Sequence, residues 1–165
     1  FKTNHKILFP TKKELDILNF RSVEKYLKKN KPNILIHLAG LSRPMKVHEE
    51  NIIKSIDLNI IGTANITKVC SKLRIKLIYF STNYVYPGTK GNYRETDSLL
   101  PVNNYAWSKL GGESAVQLYK NSLILRVSMT EKPFIHKKAF ANVKSSFIYH
   151  EDVGKYLFKL LNTCL

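Results

Sequence analysis

Sulfur and acidic side chains are scarce in this sequence. Two cysteines, Cys70 and Cys164, stand 94 positions apart among 165 residues. That spacing excludes a disulfide framework and a cysteine metal site, and it suits a reducing compartment. Asp and Glu total 12 against 27 Lys and Arg, giving a formal net charge of +15. No apolar run reaches the roughly 18–20 residues of a membrane-spanning helix. No residue cluster has the spacing of a zinc finger, and His48-Glu49-Glu50 and His150-Glu151-Asp152 lack a helical His pair with a third ligand. No metal is expected. The seven glycines never assemble into a glycine-rich phosphate loop. Serines 108 and 114 lack a nucleophile elbow, so hydrolysis is not expected.

What is present is ordinary globular composition, with 44% hydrophobic and 24% charged residues. The length suits one domain over residues 1–165. The excess charge is mostly lysine, scattered from Lys2 to Lys159, without interleaved aromatic platforms. It reads as a solvated surface that attracts anions rather than as a nucleic-acid face.

Short branched apolar runs alternate with segments of helical period. Ile7-Leu8-Phe9 predicts a brief strand, Ser22–Asn30 a helix stopped before Pro32, and Ile34–Leu38 a buried strand. A long helix is expected from Glu49 to Leu73, with Ile52, Ile53, Ile56, Ile60, Ala64 and Val69 as its apolar stripe. Lys76–Thr82 is the next strand. Asn104–Lys120 is a helix capped by Asn103 or Asn104, and Leu123–Val127 a strand. The last helix, from Glu151 to about Leu161, turns Val153, Tyr156, Leu157, Leu160 and Leu161 inward. The stretch from Met129 to Ser146 carries little pattern. This alternation implies an α/β fold, a parallel sheet with helices on both faces. Ligands in such sheets sit outside the carboxyl ends of the strands. Those ends are Ala39-Gly40-Leu41-Ser42, Ser81-Thr82-Asn83 and Val127-Ser128-Met129.

Tyr105-Ala106-Trp107-Ser108-Lys109 sets a phenol and an ammonium one helical turn apart. A cation about 4 Å from a phenol contributes roughly 4 kcal/mol at an effective dielectric of about 20. At about 1.4 kcal/mol per pKa unit, that would draw a tyrosine from about 10 towards 7, the range of a general acid–base. Such a pair is common by chance in a lysine-rich chain. Its weight comes from the strand ending in Thr82, whose hydroxyl can bind the same substrate oxygen. It also comes from Ala39-Gly40, whose small side chains let a flat ligand approach the backbone. His37 lies within a strand and reads as a core histidine with a hydrogen-bond partner.

The segments IHLAGLS (36–42), NIIGTANI (59–66), IYFSTNYVYPG (78–88), YRETDSLLPVNNYAWSKLGGE (93–113) and LILRVS (123–128) together resemble the extended short-chain dehydrogenase/reductases. The closest branch is the dTDP-4-dehydrorhamnose reductase-like one. The resemblance implies a Rossmann-like NAD(P)-binding domain using NADP or NAD. By it, Thr82, Tyr105 and Lys109 are the catalytic set. Asp16, Ile17, Ala39, Gly40, Leu41 and Ser42, with Tyr105 and Lys109, would hold the cofactor. Thr82, Asn83 and Met129 would face a sugar nucleotide. Asn59 matches a structural position of the long helix. The family's glycine-rich turn has no counterpart, so the expected fold is N-terminally incomplete, with its first βα unit missing and residues 129–150 a remnant of a substrate-binding lobe. Asn83 stands where the branch often has Asp, and Met129 where it has an aromatic.

The implied reaction is reduction of a nucleotide-linked 4-keto-sugar, in the making of surface-polysaccharide sugars. Acidic residues directly after the hydroxyl residue would point to a dehydratase, and here Asn83 and Tyr84 follow Thr82. The alternatives are an epimerase of the same superfamily and an inactive regulatory module that binds a dinucleotide or sugar nucleotide. The expected partners are the nucleotide sugar and a second copy of the chain, with no nucleic acid and no membrane. The expected location is cytoplasmic.

Overall fold

The computed structural model describes residues 5–133 and 145–163. The chain forms two compact units, Phe1–Leu125 and Arg126–Leu165, each taken by itself below.

The first unit begins with helix α1 (Phe20–Asn30), capped by the Asn19 side chain on the Ser22 amide. Its apolar face inserts Val23 and Leu27, and Lys31 in the left-handed region ends it. Strand β1 (Ile34–His37) follows and pairs in parallel with β2 (Lys76–Thr82), Ile36 opposite Ile78. Helix α5 (Asn104–Gln117) leads into β3 (Ser122–Val127), and the sheet order is β1-β2-β3. Leu77 and Tyr79 of β2 meet Val23 and Leu27 of α1, Val116 of α5, and Ile66, Val69 and Cys70 of α4 (Gly62–Leu73). Ile78 and Phe80, on the opposite face of β2, are buried as well. Burial on both faces explains why KLIYFST reads as a continuous apolar run. The expected parallel sheet with its helices is the observed architecture. The Cys70 thiol lies inside it, and burial pushes its pKa up to about 12.

Three local expectations are corrected. Residues 7–9 form no strand: no strand pairs with them among the described residues, Pro10 offers no amide, and Phe9 is 85% exposed. The long helix is not continuous either. Helix α2 (Lys46–Glu50) stops at Asn51, whose side chain caps α3 (Ile52–Ser55) by accepting from the Lys54 amide. A π-helical turn, Ile56–Ile61, then precedes α4. This break turns the isoleucine stripe outward: Ile52 and Ile53 are 54% and 73% exposed. Val69 of the expected stripe is buried, and before it the inward residues are Ser55, Asn59, Thr63 and Ile66. π-turns recur at functional sites because the extra residue re-aims a side chain. Here the buried side chain within the turn is Asn59.

The second unit contains β4 (Met129–Thr130) paired in parallel with β5 (Ile148–Tyr149), and helix α6 (His150–Thr163). Glu151 and Asp152 in the first turn suit its positive end. Val153 is buried as expected, but Tyr156 is 60% exposed, a correction to its inward assignment. Within residues 129–150, positions 134–144 lie outside the described residues, including Lys137 and Lys138, and so does Cys164. Among the described residues no helix is long and apolar enough to cross a membrane.

Gly112 shows how tightly α5 seats. A Cβ there would collide with the Asn59 carbonyl and lie 2.8 Å from the Tyr79 hydroxyl. Helix propensity would favour alanine by about 1 kcal/mol. Overlap with rigid backbone outweighs it, so Gly112→Ala is expected to lose about 1–3 kcal/mol in denaturant unfolding. An unchanged or raised midpoint would contradict this packing.

Candidate active site

The carboxyl ends of β1 and β2 and the first turns of α5 meet in the first unit. Asn103 caps α5 by accepting from the Ala106 amide at 2.8 Å. That fixes where the helix starts, and hence where Tyr105 and Lys109 stand.

Asn59 ties the three elements together. Its Oδ1 accepts from the Leu41 amide at 2.7 Å, and its Nδ2 donates to the Leu41 carbonyl at 2.9 Å and to Ser108 Oγ at 2.8 Å. Ser108 donates onward to the Tyr105 carbonyl at 2.7 Å. The structural role expected of Asn59 is therefore observed, and it holds the loop after β1 against the Tyr105 helix. A Cβ on Gly40 would stand 2.8 Å from Asn59 Oδ1, so this glycine makes room for the bridge. Ala39, Gly40 and Ser42 are exposed around it, and Leu41 is buried.

Thr82 ends β2, buried, with its hydroxyl accepting from the Tyr84 amide at 3.3 Å. The same side chain lies beside the Tyr105 phenol and draws its pKa down. Tyr84 meets the Tyr105 ring edge-on, centroids 6.3 Å apart. Asn83 opens the short 3-10 turn that follows, and its Oδ1 is buried with no partner among the described residues, as is Ser81 Oγ.

The expected coupling of Lys109 to the phenol is not met. Burial is the largest influence on Tyr105 and holds it above the usual phenol range, with the neighbouring Thr82 side chain acting the other way. The Lys109 ammonium instead lies 4.3 Å from the centroid of the Tyr79 ring. Burial lowers it to about 8, with the Glu113 charge opposing. A polar layer missed in the sequence lies here. Tyr79 donates to the Lys109 carbonyl at 3.2 Å, and His37 Nε2 meets Thr63 Oγ1 at 3.0 Å. Glu113 is buried too. The alternation of KLIYFST could have flagged Tyr79, since it shares a face with Leu77.

His37 is the satisfied core histidine expected. Burial, then the Lys109 charge, lowers it to about 3. The unfolded chain takes up that proton near 6.5. Its contribution to stability is thus complete above about pH 6.5 and is lost as pH falls towards 3. We expect His37→Asn to flatten the acid limb of the unfolding midpoint in that window. An identical limb would remove His37 as its source.

Asp16 and Ile17 lie just before α1, and Met129 lies in the second unit. Asp16 Oδ1 accepts from the Leu18 amide at 3.0 Å and shapes the turn before α1. Ile17 is a core residue packed onto Gly62. Met129 belongs to the second unit, in β4. Among the described residues no cluster of three metal-ligating side chains occurs.

Comparison with known proteins places this geometry. The model of the RmlD substrate binding domain matches residues 1–141. Methionine adenosyltransferase 2 subunit beta of Xenopus laevis is 36% identical over 114 residues, 68% of this chain and 34% of its own length. The dTDP-4-dehydrorhamnose reductase of Aggregatibacter actinomycetemcomitans is 32% identical over 119 residues, 71% of this chain and 40% of its own. The chain thus spans well under half of these relatives. Among solved structures, a Bacillus anthracis dTDP-4-dehydrorhamnose reductase in complex with NADP superposes with a TM-score of 0.79 at 27% identity, over 93% of this chain and 60% of that one. The family match covers most of the sequence and the fold agrees, so the chain belongs to the RmlD substrate binding domain family.

Proposed function

We propose that the chain carries NAD(P)H-dependent reduction of a nucleotide-linked 4-keto-sugar. The observation that carries this reading is the state of Tyr105. Its phenol is half-buried between the Tyr84 and His48 rings, beside Thr82, and held protonated at neutral pH. A reductase needs the acid form beside the carbonyl oxygen, and no depressed phenol is required for that direction.

The residues fit a nicotinamide dinucleotide. The loop 39–42 leaves Ala39, Gly40 and Ser42 open at the end of β1, and the Lys109 ammonium, over the Tyr79 ring, belongs to the residue one helical turn from Tyr105. Ser81 Oγ and Asn83 Oδ1 are buried polar atoms still without partners at the end of β2. Ala39–Ser42 would line the dinucleotide and Lys109 would take the nicotinamide-ribose hydroxyls. The Bacillus anthracis relative is crystallised with NADP. When bound, the reduced nicotinamide supplies the hydride. Thr82 then orients the sugar oxygen, Tyr105 delivers its proton there, and Asn83 contacts the sugar nucleotide.

The test is oxidation of NADPH or NADH followed by absorbance, with a dTDP- or UDP-linked 4-keto-6-deoxy sugar. Turnover is the expected result. Binding of the dinucleotide without turnover of either sugar overturns the reductase reading. It would favour the second reading, a module that binds such nucleotides and assists another enzyme. That reading draws on the similarity to methionine adenosyltransferase 2 subunit beta.

A further inference from the structure

We propose that His48 is a positioning residue for Tyr105, holding the phenol ring in the orientation that meets Thr82. The inference rests on the reading of Tyr105 as the proton donor. It adds a residue that lies 57 positions away in the sequence.

Four observations converge. His48 is 1% exposed, a histidine buried in the middle of a five-residue helix. Its ring packs edge-on against Tyr105, with centroids 5.1 Å apart at 62°. Its Nδ1 and Ser55 Oγ lie 2.7 Å apart across the break at Asn51, which stops the imidazole from turning. And α2 is itself tied to the start of α5: Asn104 Nδ2 donates to Glu49 Oε2 at 2.6 Å and to the His48 carbonyl at 3.4 Å. Tyr105 follows Asn104 directly, so both its backbone and its ring are braced from α2.

The other side of the phenol is bounded by Tyr84, 6.3 Å away and nearly perpendicular. Two edge contacts from opposite sides leave the ring one favoured orientation, with the phenol beside Thr82. Burial holds the His48 pKa below the usual imidazole range, with the Glu49 charge opposing. His48 Nε2 has no partner among the described residues, so the imidazole serves through its ring and Nδ1 alone. Replacing both members of a buried hydrogen bond by apolar groups is nearly neutral, whereas removing one strands the other. The histidine should therefore be replaceable by phenylalanine once Ser55 loses its hydroxyl.

The experiment uses the whole chain labelled with 13C-tyrosine, the Tyr105 ring signal being assigned by its loss in Tyr105→Phe. In His48→Ala that signal should shift and broaden as the ring gains freedom. A misplacement of about 1 Å can cost roughly 100-fold, so kcat should fall tenfold to a hundredfold with the NADPH KM within about twofold. The double variant His48→Phe with Ser55→Ala should recover both the signal and kcat to within about threefold. An unmoved Tyr105 signal in His48→Ala, or no recovery in the double variant, overturns the proposal. Should His48→Ala not fold, His48→Leu keeps volume without an aromatic edge and is judged by the same signal. The signal is read without substrate. A wild type that reduces no sugar nucleotide therefore sinks the proposed reaction while His48 is still decided.

Discussion

Tyr105→Phe should lower kcat for keto-sugar reduction by about 100- to 10,000-fold, the range of a lost general acid. Dinucleotide binding should stay within twofold, because the change removes one oxygen from a ring whose seat is otherwise intact. That ring keeps its edge contacts with Tyr84 and His48. The Asn59–Ser108 bridge reaches only its backbone carbonyl. Steady-state kinetics and a fluorescence titration with NADPH give the two numbers. Retained turnover would take the phenol out of the chemistry. A joint loss of turnover and binding would mean the hydroxyl supports the cofactor rather than the proton step. The raised phenol adds a signature. With Tyr105 as the proposed acid, turnover should persist through neutral pH and decline only on the alkaline side, where Lys109 also loses its proton near 8.

The elements that carry the proposed catalytic set were legible because they depend on local spacing and on strand ends. Thr82 closes an apolar strand, and Tyr105 and Lys109 share a helix whose cap, Asn103, is a local signal. Their electrostatic relation was not legible. Spacing alone puts the lysine and phenol together, but which neighbour the ammonium meets is set by Tyr79, brought under α5 by the sheet. Likewise the isoleucine stripe matched helical period, yet Asn51 prefers to cap a new helix and the π-turn carries Asn59 inward. Local hydrogen bonding by asparagine overrode a hydrophobic pattern. His48 was unreadable for the same reason: its partners Ser55 and Tyr105 come together only through that broken helix. The strand proposed at residues 7–9 failed because β-character is realised only beside a partner.

The second large effect concerns Lys109, which folding tolerates rather than favours. Its pKa falls from 10.5 to about 8, chiefly through burial. At about 1.4 kcal/mol per unit, carrying that ammonium inside costs roughly 3 kcal/mol at neutral pH. Contact with the Tyr79 face returns part of this, about 1–2 kcal/mol for a partly desolvated cation. Lys109→Met keeps most of the volume and removes the charge. It should therefore raise unfolding stability by about 1–3 kcal/mol at pH 7, even though most core substitutions destabilise. The sign follows from proton uptake. Below pH 8 both folded and unfolded lysine are charged and the cost is fully present. Between 8 and about 10.4 only the unfolded chain holds the proton, so wild-type stability rises with pH there. The advantage of Lys109→Met should accordingly be largest below pH 8 and shrink as pH climbs to 10. Denaturant midpoints of both proteins across that range measure it. The same variant should lose NADPH affinity by tenfold or more, one charge-assisted contact being worth about 1.5–3 kcal/mol. Greater stability together with lost cofactor binding would identify Lys109 as a group kept for its ligand. A less stable Lys109→Met at pH 7 would instead make the lysine a structural member of the Tyr79–Glu113 layer.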